Sequence, residues 1–299
     1  MKAKVITSGD NRLFKMFQGL LRAQGIRKNG LALLSGARQV REVLRDFPER
    51  CAGLILRKEQ DVFDRGLPET VHRYHLPPAL FRKLDAYGTD QPILVVRVEP
   101  FPLWYPDRWP TGCTLLVPFQ DPTNVGAVIR TAAAFGVARV VMLKEAAHPF
   151  HHKSSRVAGS ALFRLPLFEG PSIRRLRPIK VPLIALSPDG DDVGRFAFPD
   201  TFGLIPGLEG PGIPAGLRKG VTLSVPMQAG VESLNAALAT GIVLYLWRSR
   251  LAEAQKTANP RPDRGTVSQN NRLGGRPDHP LTKGSAGSKK RRIRVTGYK

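Results

Sequence analysis

The sequence predicts an α/β protein in which a small α/β unit precedes a larger one built on a mostly parallel sheet. From residue 113 onward, apolar runs of strand length alternate with stretches of helical periodicity, an order typical of parallel strands joined by crossover helices. The first hundred residues show a shorter version of this alternation. Between the two lies a segment with three prolines that resists both helix and central strand. We therefore expect domains at 1–100 and 111–254, joined by a linker at 101–110.

Apolar spacing assigns the individual elements. In the first unit it predicts a helix at 13–21, a strand at 30–34, a helix at 37–47 and strands at 53–56 and 93–98. In the second it predicts strands at 113–119, 139–143, 183–186, 202–205 and 222–225, with helices at 125–135 and 233–252. Ligands of parallel sheets gather at the carboxyl ends of the strands, so the loops after Phe119, Ile205 and Val225 are expected to carry a site.

The composition indicates a polyanionic partner and excludes several classes of protein. The chain has 46 Lys and Arg against 24 Asp and Glu, a net charge of +22. No apolar run reaches the ~18–20 residues that span a bilayer, and no signal peptide is recognisable, so we expect a cytoplasmic protein that does not bind membranes. Two cysteines are too few for a disulfide framework. Nucleic acid is the commonest polyanion of the cytoplasm.

Part of the charge is concentrated in the last segment of the chain. Residues 256–299 hold twelve Lys and Arg and two Asp, a net charge of +10, and nearly lack large apolar residues. Such a segment cannot bury enough surface to offset its ordering entropy, which predicts a disordered basic tail over 255–299. Two roles stay open for it, as a solubilising tail or as a salt-sensitive tether to RNA phosphates.

The loop after the first strand of the larger unit leads into a helix that carries Asn124 and Arg130. Asp121 or Thr123 can cap this helix through a side-chain oxygen. Val125 begins an apolar stripe at helical spacing, which predicts a buried face. Arg130 lies more than one turn into the helix, and its guanidinium either folds back toward the loop or is solvated.

The second loop, residues 204–213, holds three glycines and two prolines around Glu209. Its exposed backbone can approach a planar ligand closely, although a surface hairpin would have the same composition. It matches neither the dinucleotide fingerprint nor a Walker loop. The third loop, residues 225–235, turns at Gly230 and enters a helix that Glu232 or Ser233 is expected to cap.

Taken together, the three loops resemble the three signature motifs of the SpoU (TrmH-type) RNA 2′-O-ribose methyltransferases of the SPOUT superfamily. The motifs are residues 124–132 (NVGAVIRTA), 207–212 (GLEGPG) and 225–235 (VPMQAGVESLN), in the order of that family. The resemblance covers about residues 111–250. Farther upstream, Ile6-Thr7-Ser8 with Asn11 and Lys15 resembles the family's substrate-binding domain, a ribosomal-protein-like RNA-binding fold.

This resemblance implies a SPOUT domain with a deep trefoil knot, a homodimer formed through the knotted region, and S-adenosylmethionine as co-substrate. The positions that match cofactor contacts are Leu204, Gly207, Val225, Pro226, Met227 and Leu234. Those that match the polar catalytic positions are Asn124, Arg130, Glu209, Ser233 and Asn235. No metal is implied, and the histidines at 148, 151 and 152 have no cysteine nearby.

The matched residue types suit methyl transfer to a ribose hydroxyl, a poor acid that must lose its proton to an aligned electrophile. Arg130 matches the arginine thought to assist that deprotonation. Because the pKa of an arginine is above ~12, we expect Arg130 to act with a substrate phosphate and to stabilise the developing alkoxide. Leu208, Thr123 and the run 158–160 depart from the family pattern on the substrate-facing side.

The substrate expected from this resemblance is structured RNA, with 23S ribosomal RNA favoured over transfer RNA because the N-terminal domain resembles one found mainly on the ribosomal RNA enzymes. Two alternatives stay open. One is a transfer RNA 2′-O-methyltransferase, and the other is a catalytically silent RNA- or ribosome-binding protein of the same fold.

Overall fold

The computed structural model describes residues 3–57, 70–176, 180–208, 212–218 and 220–258. Residues Met1–Ala258 form one compact unit. The predicted basic tail therefore lies outside the described residues from residue 259 onward, and so does Glu209. Among the helices that are described, none is long and apolar enough to cross a membrane.

The first hundred residues contain a mixed five-stranded sheet. Its elements are β1 (Lys4–Val5), α1 (Arg12–Gly19), α2 (Ala23–Asn29), β2 (Leu31–Ser35), α3 (Ala37–Asp46), β3 (Cys51–Arg57), β4 (His72–Leu76), α4 (Pro78–Arg82) and β5 (Ile93–Arg97). The strand order is β1-β4-β3-β5-β2, in which β5 runs antiparallel to both of its neighbours. The sequence did not reveal β4, because its residues are mostly polar and only half buried and form no apolar run.

Residues 112–258 form a second sheet with its helices. The elements are β6 (Gly112–Val117), α5 (Pro122–Phe135), β7 (Arg139–Met142), α6 (His152–Ala158), β8 (Leu167–Glu169), β9 (Leu183–Asp192), β10 (Thr201–Ile205), α7 (Ala215–Arg218), β11 (Val221–Ser224) and α8 (Ala236–Ala258). All neighbours are parallel, in the order β11-β9-β10-β6-β7-β8. The predicted α/β fold with a mostly parallel sheet is confirmed.

Two helix starts differ from the predicted ones. Helix α5 begins at Pro122, because the Asp121 carboxylate accepts the Thr123 N–H at 2.8 Å and caps the helix, as one of the two expected candidates. Helix α8 begins at Ala236 instead of Ser233. The expectation that Glu232 or Ser233 caps it was wrong, since the side chain of Asn235 accepts the first backbone N–H groups of the helix.

The proline-rich segment between the two sheets is hydrogen-bonded to the edge of the larger sheet. The backbone N–H of Trp104 donates to the Glu169 carbonyl at 2.8 Å, and the backbone N–H of Glu169 donates to the Pro102 carbonyl at 2.9 Å. Arg139 packs against the Trp109 and Phe168 rings. These contacts fix the segment along the β8 edge.

Helix α6 connects the two sheets. The buried Gln39 side chain donates from Nε2 to the Ser155 carbonyl at 2.7 Å, and Arg164 pairs with Asp46 at 2.6 Å. The Tyr87 hydroxyl donates to the His152 carbonyl at 3.2 Å. The N-terminal sheet and the parallel sheet are thus joined by side-chain hydrogen bonds as well as by the chain itself.

Candidate active site

The middle of β9 and the loops that follow β10 and β11 enclose a cavity of about 410 Å³. Its volume lies within the range of ~300–1,000 Å³ that small-molecule sites occupy. Most of the lining is apolar, with backbone and a few hydroxyl and amide groups between the side chains. The lining residues are Asn124, Leu186, Ser187, Pro188, Pro206, Gly207, Leu208, Gly212, Leu223, Ser224, Val225, Met227, Ser233, Leu234, Asn235, Ala236 and Ala239.

The second predicted loop forms one wall of this cavity through its backbone. Leu208 and Gly212 exchange two backbone hydrogen bonds, at 3.1 and 3.0 Å, which close the loop into a narrow turn. Gly212 has φ of +66°, a left-handed conformation that favours glycine. Pro206, Gly207, Leu208 and Gly212 of this loop all line the cavity.

Asn235 forms the junction between the third loop and the first. Its Oδ1 accepts the N–H groups of Ala237 and Leu238 at 3.0 and 3.1 Å and so caps α8. Its Nδ2 donates to Oδ1 of Asn124, in the first turn of α5, at 3.0 Å. One amide thus satisfies a helix terminus and links the N-termini of two helices at the cavity wall.

Arg130 lies outside the lining of the cavity. It is exposed on α5, and its guanidinium donates to the Val157 carbonyl on α6 at 3.3 Å. The close approach of the two helices depends on Gly126, where a Cβ atom would come within 2.3 Å of the Ser154 carbonyl oxygen. The Arg130 guanidinium is therefore accessible to solvent at this place.

The cavity brings together most of the residues that the motifs had singled out. Those that line it are Asn124, Gly207, Val225, Met227, Ser233, Leu234 and Asn235. Leu204 is fully buried within β10, and Pro226 is exposed between two lining residues. Glu209 lies outside the described residues.

The sequence did not single out the lining residues on β9, which are Leu186, Ser187 and Pro188. They lie at the end of the predicted strand at 183–186 and directly after it. The rule that ligands gather at the carboxyl ends of parallel strands, applied to this strand as well, identifies them. Motif matching alone does not.

The chemistry of the lining fits S-adenosylmethionine. Leu186, Leu223, Val225 and Leu234 supply apolar surface of the kind that packs against a purine ring. Main-chain groups of the two loops are available for the polar edges of adenine and ribose. The described residues contain no group of three or more His, Cys, Asp and Glu arranged to hold a metal.

The histidines near α6 are held in the neutral form. Burial lowers the pKa of His148 to about 4, with Arg27 and His151 adding to the effect. Burial also lowers the pKa of His152 to about 4. The His148 ring accepts the Phe150 N–H at Nδ1, 3.2 Å away.

A parallel α/β sheet with an apolar cavity at its carboxyl edge, closed by two glycine-containing loops and two linked helix N-termini, is the arrangement in which α/β proteins bind a small ligand. The model of the SpoU rRNA Methylase family matches residues 113–245. Together with the 31% identical relative described next, this match shows that the chain belongs to this family.

Curated relatives extend the likeness beyond the matched domain. The chain is 31% identical over 263 residues to the 23S rRNA (uridine(2479)-2′-O)-methyltransferase of Streptomyces viridochromogenes, a match that covers 81% of this chain and 91% of that protein. It is 44% identical over 256 residues to "Ribosomal RNA small subunit methyltransferase G 2" of Syntrophobacter fumaroxidans. That match covers 85% of this chain and 51% of the relative, so the chain spans about half the length of this protein.

A solved structure supports the fold. The SpoU methyltransferase AviRb from Streptomyces viridochromogenes, in complex with the cofactor AdoMet, superposes with a TM-score of 0.68 at 25% identity. The alignment covers 81% of this chain and 98% of that one, and therefore includes the N-terminal sheet as well as the parallel sheet.

Proposed function

We propose that this protein transfers a methyl group from S-adenosylmethionine to the 2′-hydroxyl of a ribose in ribosomal RNA, in the cytoplasm. The observation that carries the proposal is the convergence of the three motifs on one cavity, with Asn235 bonded to Asn124. The names of the relatives, which include 23S ribosomal RNA 2′-O-methyltransferases, support the substrate class.

When bound, S-adenosylmethionine supplies a methyl group on a sulfonium centre. In our proposal the backbone at Gly207 and the side chains of Val225, Met227 and Leu234 hold its adenosine part. Leu204 and Pro226 support the same loops from within the sheet and from the rim. These roles are consistent with the apolar lining and with the closed turn at 208–212.

In our proposal the polar residues position the ribose and assist the loss of its hydroxyl proton. Asn124 and Asn235 fix the two helix termini, Ser233 borders the cavity beside them, and Glu209 orders the second loop. Arg130 contacts the phosphate of the target nucleotide, which positions the ribose and stabilises the alkoxide that forms as the hydroxyl loses its proton. Its exposed position on α5 leaves it accessible to that phosphate.

The working form in this proposal is a homodimer with a knotted C-terminal domain. Leu238 and Tyr245 are 57% and 56% exposed on α8, and their spacing of seven residues places them on one face of the helix. Phe135 extends this apolar strip, since its ring lies 6.1 Å from that of Tyr245. A second copy of the chain would cover the strip.

The decisive experiment isolates total RNA, including ribosomal and transfer RNA, from a strain that lacks the gene and incubates it with the protein and labelled S-adenosylmethionine. Mapping of 2′-O-methyl groups in 16S, 23S and transfer RNA then identifies the substrate. We expect one new methylated ribose in 23S ribosomal RNA. Methylation of transfer RNA alone would replace the proposed substrate, and cofactor binding below detection by calorimetry would favour the catalytically silent alternative.

A further inference from the structure

A second cavity, of about 560 Å³, lies between the N-terminal sheet and the loop after β7. It shares no lining residue with the cavity of about 410 Å³ at the proposed active site, which is called the cofactor cavity below. The end of α2, the segment 98–101 and the loop 142–149 enclose it. Backbone hydrogen bonds from Leu143 to Val117 and from Ala147 to Phe119 attach this loop to β6 and the turn that precedes α5. The cavity therefore lies at the same edge of the parallel sheet as the proposed active site.

His148 places a hydrogen-bond donor without a partner in the wall of this cavity. The residue is only 8% exposed, and its Nδ1 accepts the Phe150 N–H. In the neutral ring the proton must then be on Nε2. No hydrogen bond to Nε2 is found among the described residues, and Nε2 is not one of the fully buried polar atoms that lack a partner there, so this donor is open to the cavity. A ligand with an acceptor at this point would accept its hydrogen bond.

An aromatic ring stands beside this donor. Phe101 lines the cavity, and its ring centroid lies 5.9 Å from that of His148. The Phe150 ring packs against both, with its centroid 6.4 Å from the centroids of Phe101 and His148. A rigid aromatic face next to a fixed N–H donor is the arrangement that binds an unstacked nucleobase, by stacking and by a hydrogen bond to the base edge.

Two cations stand at the rim. Arg27 and Lys144 both line the cavity, are exposed, and form no ion pair within the described part of the chain. Of the carboxylates in the lining, Glu99 is bound to Arg50 at 2.7 Å, which leaves Glu169 as the other acidic group. The rim is therefore suited to a phosphate.

We propose that this cavity binds one nucleotide of the substrate RNA that flanks the methylated ribose. Its base stacks on Phe101 and accepts the His148 Nε2–H, and its phosphate lies between Arg27 and Lys144. The inference rests on the proposed function in one respect, that the substrate is RNA. It adds a site at which the enzyme recognises the RNA away from the reacting ribose.

Cross-linking tests the location directly. The full-length protein is irradiated with ribosomal RNA transcripts that contain 4-thiouridine, and the cross-linked peptides are identified by mass spectrometry. We expect cross-links within 98–101 or 142–149. This readout does not need methyl transfer, so it distinguishes failure of the inference from failure of the proposed activity. Cross-links confined to other segments would overturn the inference even if the protein methylates RNA, and a protein that binds no RNA would overturn both.

Charge variants test the mechanism of binding. We expect the double variant Arg27→Ala/Lys144→Ala to raise the KM for RNA about tenfold, and to reduce the salt slope of binding by ~0.7 for each lost phosphate contact. Its kcat and its affinity for S-adenosylmethionine should stay at wild-type values. Arg195→Ala removes an exposed arginine at a distant 3-10 turn and serves as the control. Phe101→Leu, which keeps apolar bulk but removes the ring, should also raise KM. Wild-type KM and salt slope in both variants would overturn the inference.

Discussion

Asn235 donates a hydrogen bond to Asn124 across 111 positions of sequence, and the same amide caps the helix that it precedes. The N-terminus of α8 and the N-terminus of α5 are therefore fixed relative to each other by one side chain. Since both residues line the cofactor cavity, a change at either one alters the shape of the cavity as well as the stability of the helices.

Two substitutions at Asn235 separate these effects. Asn235→Ala removes the cap and the bond to Asn124, and we expect it to lower the free energy of unfolding by about 1 kcal/mol. Asn235→Asp keeps a capping oxygen and should cost less stability. Both variants should weaken cofactor binding, as measured by calorimetry alongside urea denaturation. Full cofactor affinity in Asn235→Asp would show that the bond to Asn124 does not shape the cavity.

Gly126 controls how closely α5 and α6 approach. In Gly126→Ala the new methyl group would overlap the Ser154 carbonyl, so the helices must move apart. We expect a loss of about 1–3 kcal/mol in the free energy of unfolding. The matched control is Gly19→Ala at the end of α1, where a Cβ atom meets no neighbour within 4 Å. Equal stabilities of the two variants in thermal denaturation would contradict the packing argument.

Arg130 has a role in the proposed reaction but little role in the fold, since its exposed side chain makes one hydrogen bond, to the Val157 carbonyl, within the described part of the chain. Arg130→Ala should therefore leave cofactor affinity unchanged and change the free energy of unfolding by less than about 0.5 kcal/mol. We expect methyl transfer to fall at least 100-fold, because a lost charge-stabilising donor typically costs ~10²–10³ in kcat. Near-normal methyl transfer by this variant would remove Arg130 from the mechanism.

The buried histidines predict a loss of stability in mild acid. The pKa of His148 is about 4 in the folded protein against an ordinary value of 6.5. Below pH 6.5 the unfolded chain therefore binds a proton that the folded protein does not, and stability falls as the pH drops from 6.5 toward 4. The contribution of His148 is about 1.4 kcal/mol per pH unit within this window. Denaturation midpoints between pH 7.5 and 5 measure it.

His148→Asn is the matched variant for this pH effect, because its side-chain oxygen can still accept the Phe150 N–H but does not titrate. We expect a shallower decline of stability below pH 6.5 than in the wild type. His151 and His152, whose pKa values are also lowered by burial, account for the remaining slope. An unchanged slope would show that His148 is not the group that titrates.

The basic tail can be removed after Ala258, where α8 ends. Residues 259–299 carry eleven Lys and Arg against two Asp, so we expect their deletion to weaken RNA binding and to reduce its salt slope. The methylated position should not change, because the proposed contacts to the nucleotide lie within Met1–Ala258. Filter binding at several salt concentrations and methylation mapping test both points. A shifted methylation site would show that the tail reads the substrate.

The elements that could be predicted from the sequence are those with a clear apolar run or apolar periodicity. Strand β6 and helix α5 are examples, since five of the six residues of β6 and a stripe of α5 are buried. Helix α6 was missed because two of the three residues that it buries, Ser154 and Ser155, carry hydroxyl side chains instead of forming an apolar stripe. Local composition does not contain that information.

The candidate site was predictable to a similar extent. Motif order identified the loops, because each follows a strand of one parallel sheet. The predicted start of α8 was wrong because Ser233 and Glu232 are good capping residues by local preference. The residue that caps the helix, Asn235, is held by its bond to Asn124, and that bond depends on tertiary structure. The contact of Arg130 with Val157 likewise requires the packing of α5 on α6, which no local pattern encodes.

The attachment of the proline-rich segment to Glu169, together with the bond from Gln39 to Ser155, has a consequence for substrate choice. Two RNA-binding modules on a loose tether would accept targets at many separations. Here the bonds hold the span between the N-terminal sheet and the cavity of the proposed active site constant, so we expect the protein to select RNA by three-dimensional distance as well as by local sequence. We expect a ribose with the right neighbouring nucleotides to stay unmethylated when it lies at the wrong distance from the nucleotide bound in the cavity beside His148.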